Sequence, residues 1–209
     1  MSISKGKLIV IDAGDGAGKS TQIENLRKLF GERFLLTREP GGTEYAEAIR
    51  TLALDHPLAK DADGKTLFML MWASRAEHMN HLVIPSLKEG KIIVSDRFDS
   101  ATFAYNVCAQ GQEQLKDYFW DTRKMVLGDY APDLYLYLDL PPEIGEERLS
   151  GRDDTKNHFD QRPMDFKYKV REGFLEFCQK VPHAIIDATQ TREKMFEDIL
   201  KVLKEYDIA

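Results

Sequence analysis

The chain alternates short apolar runs with longer stretches of helical spacing. Runs of β type lie at Lys7–Ala13, Phe34–Thr37, Lys91–Ser95, Leu134–Asp139 and His183–Asp187. Four of them lead into helix-like segments at Gly18–Phe30, Tyr45–Leu54, Glu143–Leu149 and Arg192–Glu205. In the last of these, Met195, Ile199, Val202 and Leu203 recur at close to 3.6 residues. A helix pair near 64–89 precedes the third run, and helical stretches at about 100–107 and 112–127 follow it. Such alternation predicts an α/β fold in which a parallel sheet is covered by helices on both faces. No internal repeat or low-complexity tract interrupts the pattern, so a single domain over 1–209 is expected. Ligands in these folds gather at the carboxyl ends of the strands. Chemistry is therefore sought at 12–20, 37–43, 96–99, 139–142 and 187–190.

Composition narrows the class. With 209 residues, 43% hydrophobic and 31% charged, the chain can bury about 70% of its unfolded surface, and it is neither disordered, collagen-like nor a disulfide scaffold. No apolar run approaches the length of a membrane span or a signal peptide, and there are only two cysteines. The cytoplasm is the expected compartment. A net charge of −6 argues against a nucleic-acid polymer as partner, since polymer affinity rests on many phosphate contacts. It leaves room for a mononucleotide.

The first run ends in Gly14-Asp15-Gly16-Ala17-Gly18-Lys19-Ser20-Thr21, a Walker A loop between a strand and a helix. Small residues let consecutive backbone N–H groups converge on phosphate oxygens, and the helix N-terminus adds its positive dipole end. Lys19 supplies a point charge to the outer phosphates of ATP, and Ser20 a hydroxyl ligand for Mg²⁺. Where the motif has its first glycine the chain has Ala13, which is tolerable if that residue does not need a positive φ. The third run ends in Asp96-Arg97-Phe98. Asp96 is placed to hold Mg²⁺ through water, and the Arg97 guanidinium to clamp an acceptor phosphate and offset charge during transfer.

Together with Thr37-Arg-Glu-Pro-Gly-Gly-Thr43, Thr102-Phe-Ala-Tyr105 and Ile186-Asp-Ala-Thr-Gln190, these motifs resemble the bacterial thymidylate kinases over nearly the whole chain. The resemblance implies a five-stranded parallel sheet flanked by helices with P-loop NTPase topology. It also implies Mg²⁺-dependent transfer of the ATP γ-phosphate to dTMP, and a homodimer paired through helices near the base site. Position by position, it puts Asp15 near the deoxyribose and acceptor phosphate. It puts Arg38 and Pro40 in the loop lining the monophosphate site, with Arg50 as a phosphate contact on the next helix. Arg97 grips the acceptor phosphate, Arg75 reads the thymine carbonyl edge, and Tyr105 packs on the sugar. The chain departs from the family's usual residues at Met71 (phenylalanine), Ala101 (serine or asparagine) and Asn106 (glutamine), all positions that touch the base. A kinase for another deoxynucleoside monophosphate is therefore the alternative, and a nucleotide-binding switch a more distant one.

Helical geometry bears on the base site independently. Phe68, Met71, Trp72, Arg75 and Met79 share one helix face. A cation on an apolar face needs a hydrogen-bond partner, and a base carbonyl would serve. Met71 can pack on a ring face, and Phe68 or Trp72 could lean in beside it. Gly151 and the polar run around it suggest a lid near 148–163 closing over ATP. The resemblance implies a transfer arginine either in the P-loop or in this lid; position 16 is glycine, so it is expected in the lid: Arg152 first, with Arg148 along the adenine and Arg162 in reserve. Of the five histidines only His78 and His81 are close in sequence, and they read as surface or core filling.

Overall fold

Leu8 to Ala13 of β1 (Lys7–Ala13) are all buried in the computed structural model, which describes residues 5–150 and 162–208. A strand apolar on both faces must be covered on both. β1 is accordingly the centre of a five-stranded sheet ordered β2–β3–β1–β4–β5, every pairing parallel. Here β2 is Phe34–Arg38, β3 Ile92–Asp96, β4 Leu134–Asp139 and β5 His183–Asp187. Alternation along β1 divides the core. Ile9 and Ile11 join Leu26 of α1 (Lys19–Phe30) with residues of the C-terminal helix, while Leu8 and Val10 join an aromatic core on the other face. Because β3 and β4 flank β1 on opposite sides, the ligand crevice is expected at the carboxyl ends of these strands.

The remaining helices are α2 (Glu44–Arg50), α3 (Gly64–His78), α4 (Ile84–Lys88), α5 (Asp99–Ala101), α6 (Lys116–Leu127), α7 (Pro142–Leu149), α8 (Met164–Cys178) and α9 (Arg192–Glu205). The helix pair expected near 64–89 is one continuous path. α3 passes through a wider π-type turn at Met79–Val83 into α4, with right-handed helical dihedrals at each junction. The widened turn comes just before Pro85, which has no N–H for a carbonyl four residues back. α5 likewise continues into a π-type stretch, Thr102–Ala109. The stretch 164–178, to which the sequence pattern assigned no element, is α8. Its Phe166, Val170, Phe174 and Phe177 bury one stripe at spacings of four, four and three. Among the described residues no helix is long and apolar enough to cross a membrane.

The turn behind β3 is anchored by a buried ion pair. Asp99 is fully buried and accepts from Arg123 Nε and from the Tyr135 hydroxyl, both at 2.6 Å. Removing the carboxylate strands both donors, so Asp99→Ala is expected to lower unfolding free energy by roughly 3–5 kcal/mol. Urea denaturation followed by tryptophan fluorescence measures this.

Candidate active site

β1 ends at Ala13, fully buried and in register with Leu138. Among the described residues only Arg97 and Asp207 combine a side chain larger than glycine's with a positive φ, so Ala13 belongs to the strand and its methyl fills core. The turn begins after it. Gly16 has φ 76°, and a Cβ there would stand 2.6 Å from the Gly145 carbonyl oxygen. The loop thus packs backbone to backbone on α7, which rules out a side chain at position 16. Gly18 caps α1, so the first N–H groups of that helix open onto the loop. Lys19 Nζ pairs with Asp96 across the rim of the sheet. Burial lowers its pKa, and Arg97 pushes the same way against the pull of Asp96.

Arg97 sits at φ 65°, a conformation costing about 1–2 kcal/mol for a residue with a Cβ. Its N–H donates to Ile11 O at 3.1 Å, and Ser95 Oγ donates to its carbonyl at 2.7 Å, which hold the turn. The turn brings the guanidinium back over the P-loop. Nη1 lies 3.3 Å from Asp12 Oδ1 and 3.1 Å from Ala13 O, and Nη2 lies 3.8 Å from Asp15 Oδ1. Burial works against the charge, but Tyr105, Asp12, Asp15 and Asp96 outweigh it and raise the Arg97 pKa. Asp12, absent from the sequence-based candidates, is buried and also accepts from Ser100 Oγ at 2.7 Å. Burial raises its pKa against the lowering by Arg97 and Ser100. Its signal was available: a lone carboxylate in an otherwise aliphatic strand.

Beside Arg97 opens a cleft of about 140 Å³, lined by Asp15, Pro40, Arg50, Met71, Arg75, Tyr105 and Asn106 among the expected residues, and also by Glu39, Leu54, Phe98 and Thr102. Arg75 is buried, with Nε donating to Glu39 Oε2 at 2.7 Å and Nη2 to Thr102 Oγ1 at 3.1 Å. Its guanidinium carbon lies 4.5 Å from the Trp72 ring centroid and 5.2 Å from that of Phe98. Among the described residues Nη1 has no partner, and neither has the buried Asn106 Nδ2. Buried donors left without acceptors are costly, and both residues line the cleft. The cation on the apolar face is therefore satisfied in part by Glu39, which the sequence reading passed over within the Arg38–Pro40 string. His78 is not filler: fully buried, it bridges Glu39 Oε1 at 2.9 Å and Thr37 Oγ1 at 2.7 Å.

Two expected substrate contacts lie elsewhere. Phe68 is fully buried and packs edge-on to Trp72 at 6.3 Å in the aromatic core, outside the cleft, because its part of the α3 face meets the core around α6. Arg38 is exposed and bound to Glu47 at 3.0 Å, away from the cleft lining. Arg50 does line the cleft, and it donates to Pro40 O at 3.1 Å. On the far side of the P-loop, Arg148 donates to Ala188 O at 2.9 Å and Thr189 O at 3.3 Å, tying the segment after β5 to α7. Arg152 and the core of the expected lid lie outside the described residues. Arg162 packs over the Phe166 ring at 5.4 Å.

Among the described residues no group of three or more His, Cys, Asp or Glu side chains forms a metal cage. The rim offers hard oxygens instead, the exposed Ser20 hydroxyl and the Asp96 carboxylate. That donor set fits Mg²⁺, which keeps most of its water and substrate phosphates as ligands.

The geometry thus joins a P-loop to a second pocket, an open cleft with buried donors. A model of the thymidylate kinase family matches residues 11–199. A thymidylate kinase of Clostridium novyi (strain NT) is 36% identical over 209 residues, covering 97% of this chain and 100% of its own length. One from Mesoplasma florum is 38% identical over 205 residues and 94% of each chain. Another, from Acinetobacter baylyi, is 34% identical over 202 residues, 92% of this chain and 96% of its own. These matches run through the P-loop, the Asp96-Arg97 turn and the cleft between them, and the chain belongs to the thymidylate kinase family.

Proposed function

We propose that the protein transfers the γ-phosphate of ATP to dTMP, yielding ADP and dTDP. As a member of this family it is a nucleoside monophosphate kinase. The observation that carries the choice of acceptor is the pair of donors, Arg75 Nη1 and Asn106 Nδ2, unpartnered among the described residues, on two residues of a cleft that Arg97 also lines. A pyrimidine with a carbonyl at C4 accepts from Arg75; cytosine presents an amino group there, donor against donor.

In this reading residues 14–21 hold the ATP phosphates, and the Lys19 amine turns from Asp96 to the outer ones. Ser20 and Asp96 hold Mg²⁺, whose chemistry is to neutralise charge on the transferred group. Arg97 and Arg50 bind the acceptor phosphate, Asp15 and Tyr105 bracket the sugar, and Met71 packs on the base. The acceptor oxygen attacks phosphorus directly, so no protein nucleophile is needed, and the residues act by position and charge. Gly16 has no room for a side chain and Arg148 is engaged with backbone carbonyls, so the transfer arginine of this reading is Arg152. The same reading includes a homodimer and a cytoplasmic setting. Met69 on α3 and Tyr118 and Met125 on α6 are large apolar side chains left exposed, and sedimentation velocity tests whether they pair.

An acceptor screen with ATP and Mg²⁺, following ADP release, tests the assignment. dTMP is expected to be the best acceptor, dUMP to be weaker by roughly 10–200-fold for its missing methyl, and dCMP by on the order of 10³-fold or more. A better rate on dCMP or dGMP overturns it in favour of another deoxynucleoside monophosphate, the alternative raised by Met71, Ala101 and Asn106.

A further inference from the structure

We propose that His78 is a positioning residue for base selection: by holding one oxygen of Glu39 it keeps Arg75 Nη1 set for the nucleotide. The inference rests on the acceptor reading above. Arg75 and His78 are three residues apart on α3 and reach the same carboxylate from one helix face. Each Glu39 oxygen is taken by one of them, Oε2 by Arg75 Nε and Oε1 by His78 Nδ1. With Nδ1–H donating to the carboxylate, His78 Nε2 is the acceptor for the Thr37 hydroxyl. The chain Thr37, His78, Glu39, Arg75 is then complete except for Arg75 Nη1.

The ring has little freedom. Gly42, at φ 91°, passes so close that a Cβ there would stand 2.6 Å from His78 Cδ2 and Nε2 and 2.8 Å from Thr37 Oγ1. The same loop is fastened to α3 by Gly41 N donating to Ser74 Oγ at 3.1 Å. A space-filling role would be met by an apolar side chain without the cost of burying an imidazole. What the imidazole adds is competition for the carboxylate. A guanidinium and a carboxylate left to themselves favour a bidentate pair. With Oε1 released, Glu39 can rotate onto Nη2, the nitrogen that shares an edge with Nε, displacing Thr102 and turning the guanidinium so that Nη1 is aimed elsewhere. Because His78 occupies Oε1, Arg75 meets Glu39 through Nε alone, its Nη2 goes to Thr102, and Nη1 remains for a base carbonyl.

The test is steady-state kinetics on the full-length His78→Leu and His78→Asn variants, with KM measured separately for dTMP and ATP and with dCMP as competing acceptor. Leucine fills the space without a donor; the asparagine amide can replace Nδ1–H. His78→Leu is expected to raise KM for dTMP about tenfold, leave KM for ATP within about twofold, and lower the dTMP-to-dCMP ratio of kcat/KM by about tenfold. His78→Asn is expected to restore most of that ratio. If His78→Leu keeps the wild-type ratio, or raises both KM values together, His78 is only scaffold and the inference is wrong. Should His78→Leu not fold, Thr37→Val, which frees the far side of the ring, is read the same way, and an unchanged ratio there also overturns it. Wild-type enzyme without a preference for dTMP over dCMP would instead refute the acceptor reading itself; wild-type preference retained in the variants refutes only the role of His78.

Discussion

Lys19→Met is expected to reduce kcat by on the order of 10²–10³ with little change in thermal stability. Lys19 is the one side chain of the P-loop that brings positive charge to the transferring phosphate, and without ATP it is held by Asp96. The charge that develops on the γ-phosphate oxygens in transfer then loses its fixed counter-charge, while the backbone N–H groups of 14–21 still bind ATP. Stability is spared because Asp96 is partly exposed, its side chain 31% accessible, so water can replace the lost amine. ADP release in a coupled assay and ATP affinity by calorimetry separate the two effects. A kcat within tenfold of wild type, or a loss confined to ATP affinity, would remove Lys19 from the transfer step.

Arg97→Ala should be the most damaging change on the acceptor side, lowering kcat/KM for dTMP by about 10³-fold or more. The guanidinium faces Asp12, Asp15 and the Tyr105 ring at one end of the cleft. It pairs with Asp15 of the P-loop and also lines the cleft, so its removal is expected to take away acceptor-phosphate binding and charge compensation together. Both kcat and KM for dTMP should change, whereas KM for ATP should hold. The variant also leaves Asp12 buried without its counter-charge, while the strain of the positive φ is the same for alanine as for arginine. A stability loss of about 1–3 kcal/mol is expected from the stranded carboxylate. Adding Asp12→Asn should recover part of the stability and none of the activity. Recovery of turnover in the double variant would mean that the Arg97→Ala defect is one of folding.

The parts of the fold that could be read in advance are those with a local physical cause. Five apolar runs of strand length gave five strands, displaced by no more than a residue at β2 and β3. The glycine spacing from 14 to 18 placed the phosphate loop. Where the cause is not local, reading stopped short. α8 carries a clear apolar stripe, but it follows directly on the polar run expected to form a lid and was not separated from it. The π-type turns at 79–83 and 102–109 were invisible because apolar spacing hardly changes across one wide turn. Phe68 and Met71 share a helix face; only packing against α6 and the cleft decides that Met71 reaches the nucleotide pocket and Phe68 does not.

The candidate site divides along the same line. The order of residues alone determined that a strand, a glycine turn and a helix N-terminus would place Lys19 and Ser20 at the rim of the sheet, because backbone geometry over eight consecutive positions dictates it. It also marked Arg75 and Arg97 as cations in unusual surroundings. What holds those cations was decided by the tertiary structure. Glu39 meets Arg75 from 36 residues away and Asp12 meets Arg97 from 85. Such pairs depend on which strands lie side by side and on how far each carboxylate is withdrawn from water, and neither is encoded in local spacing.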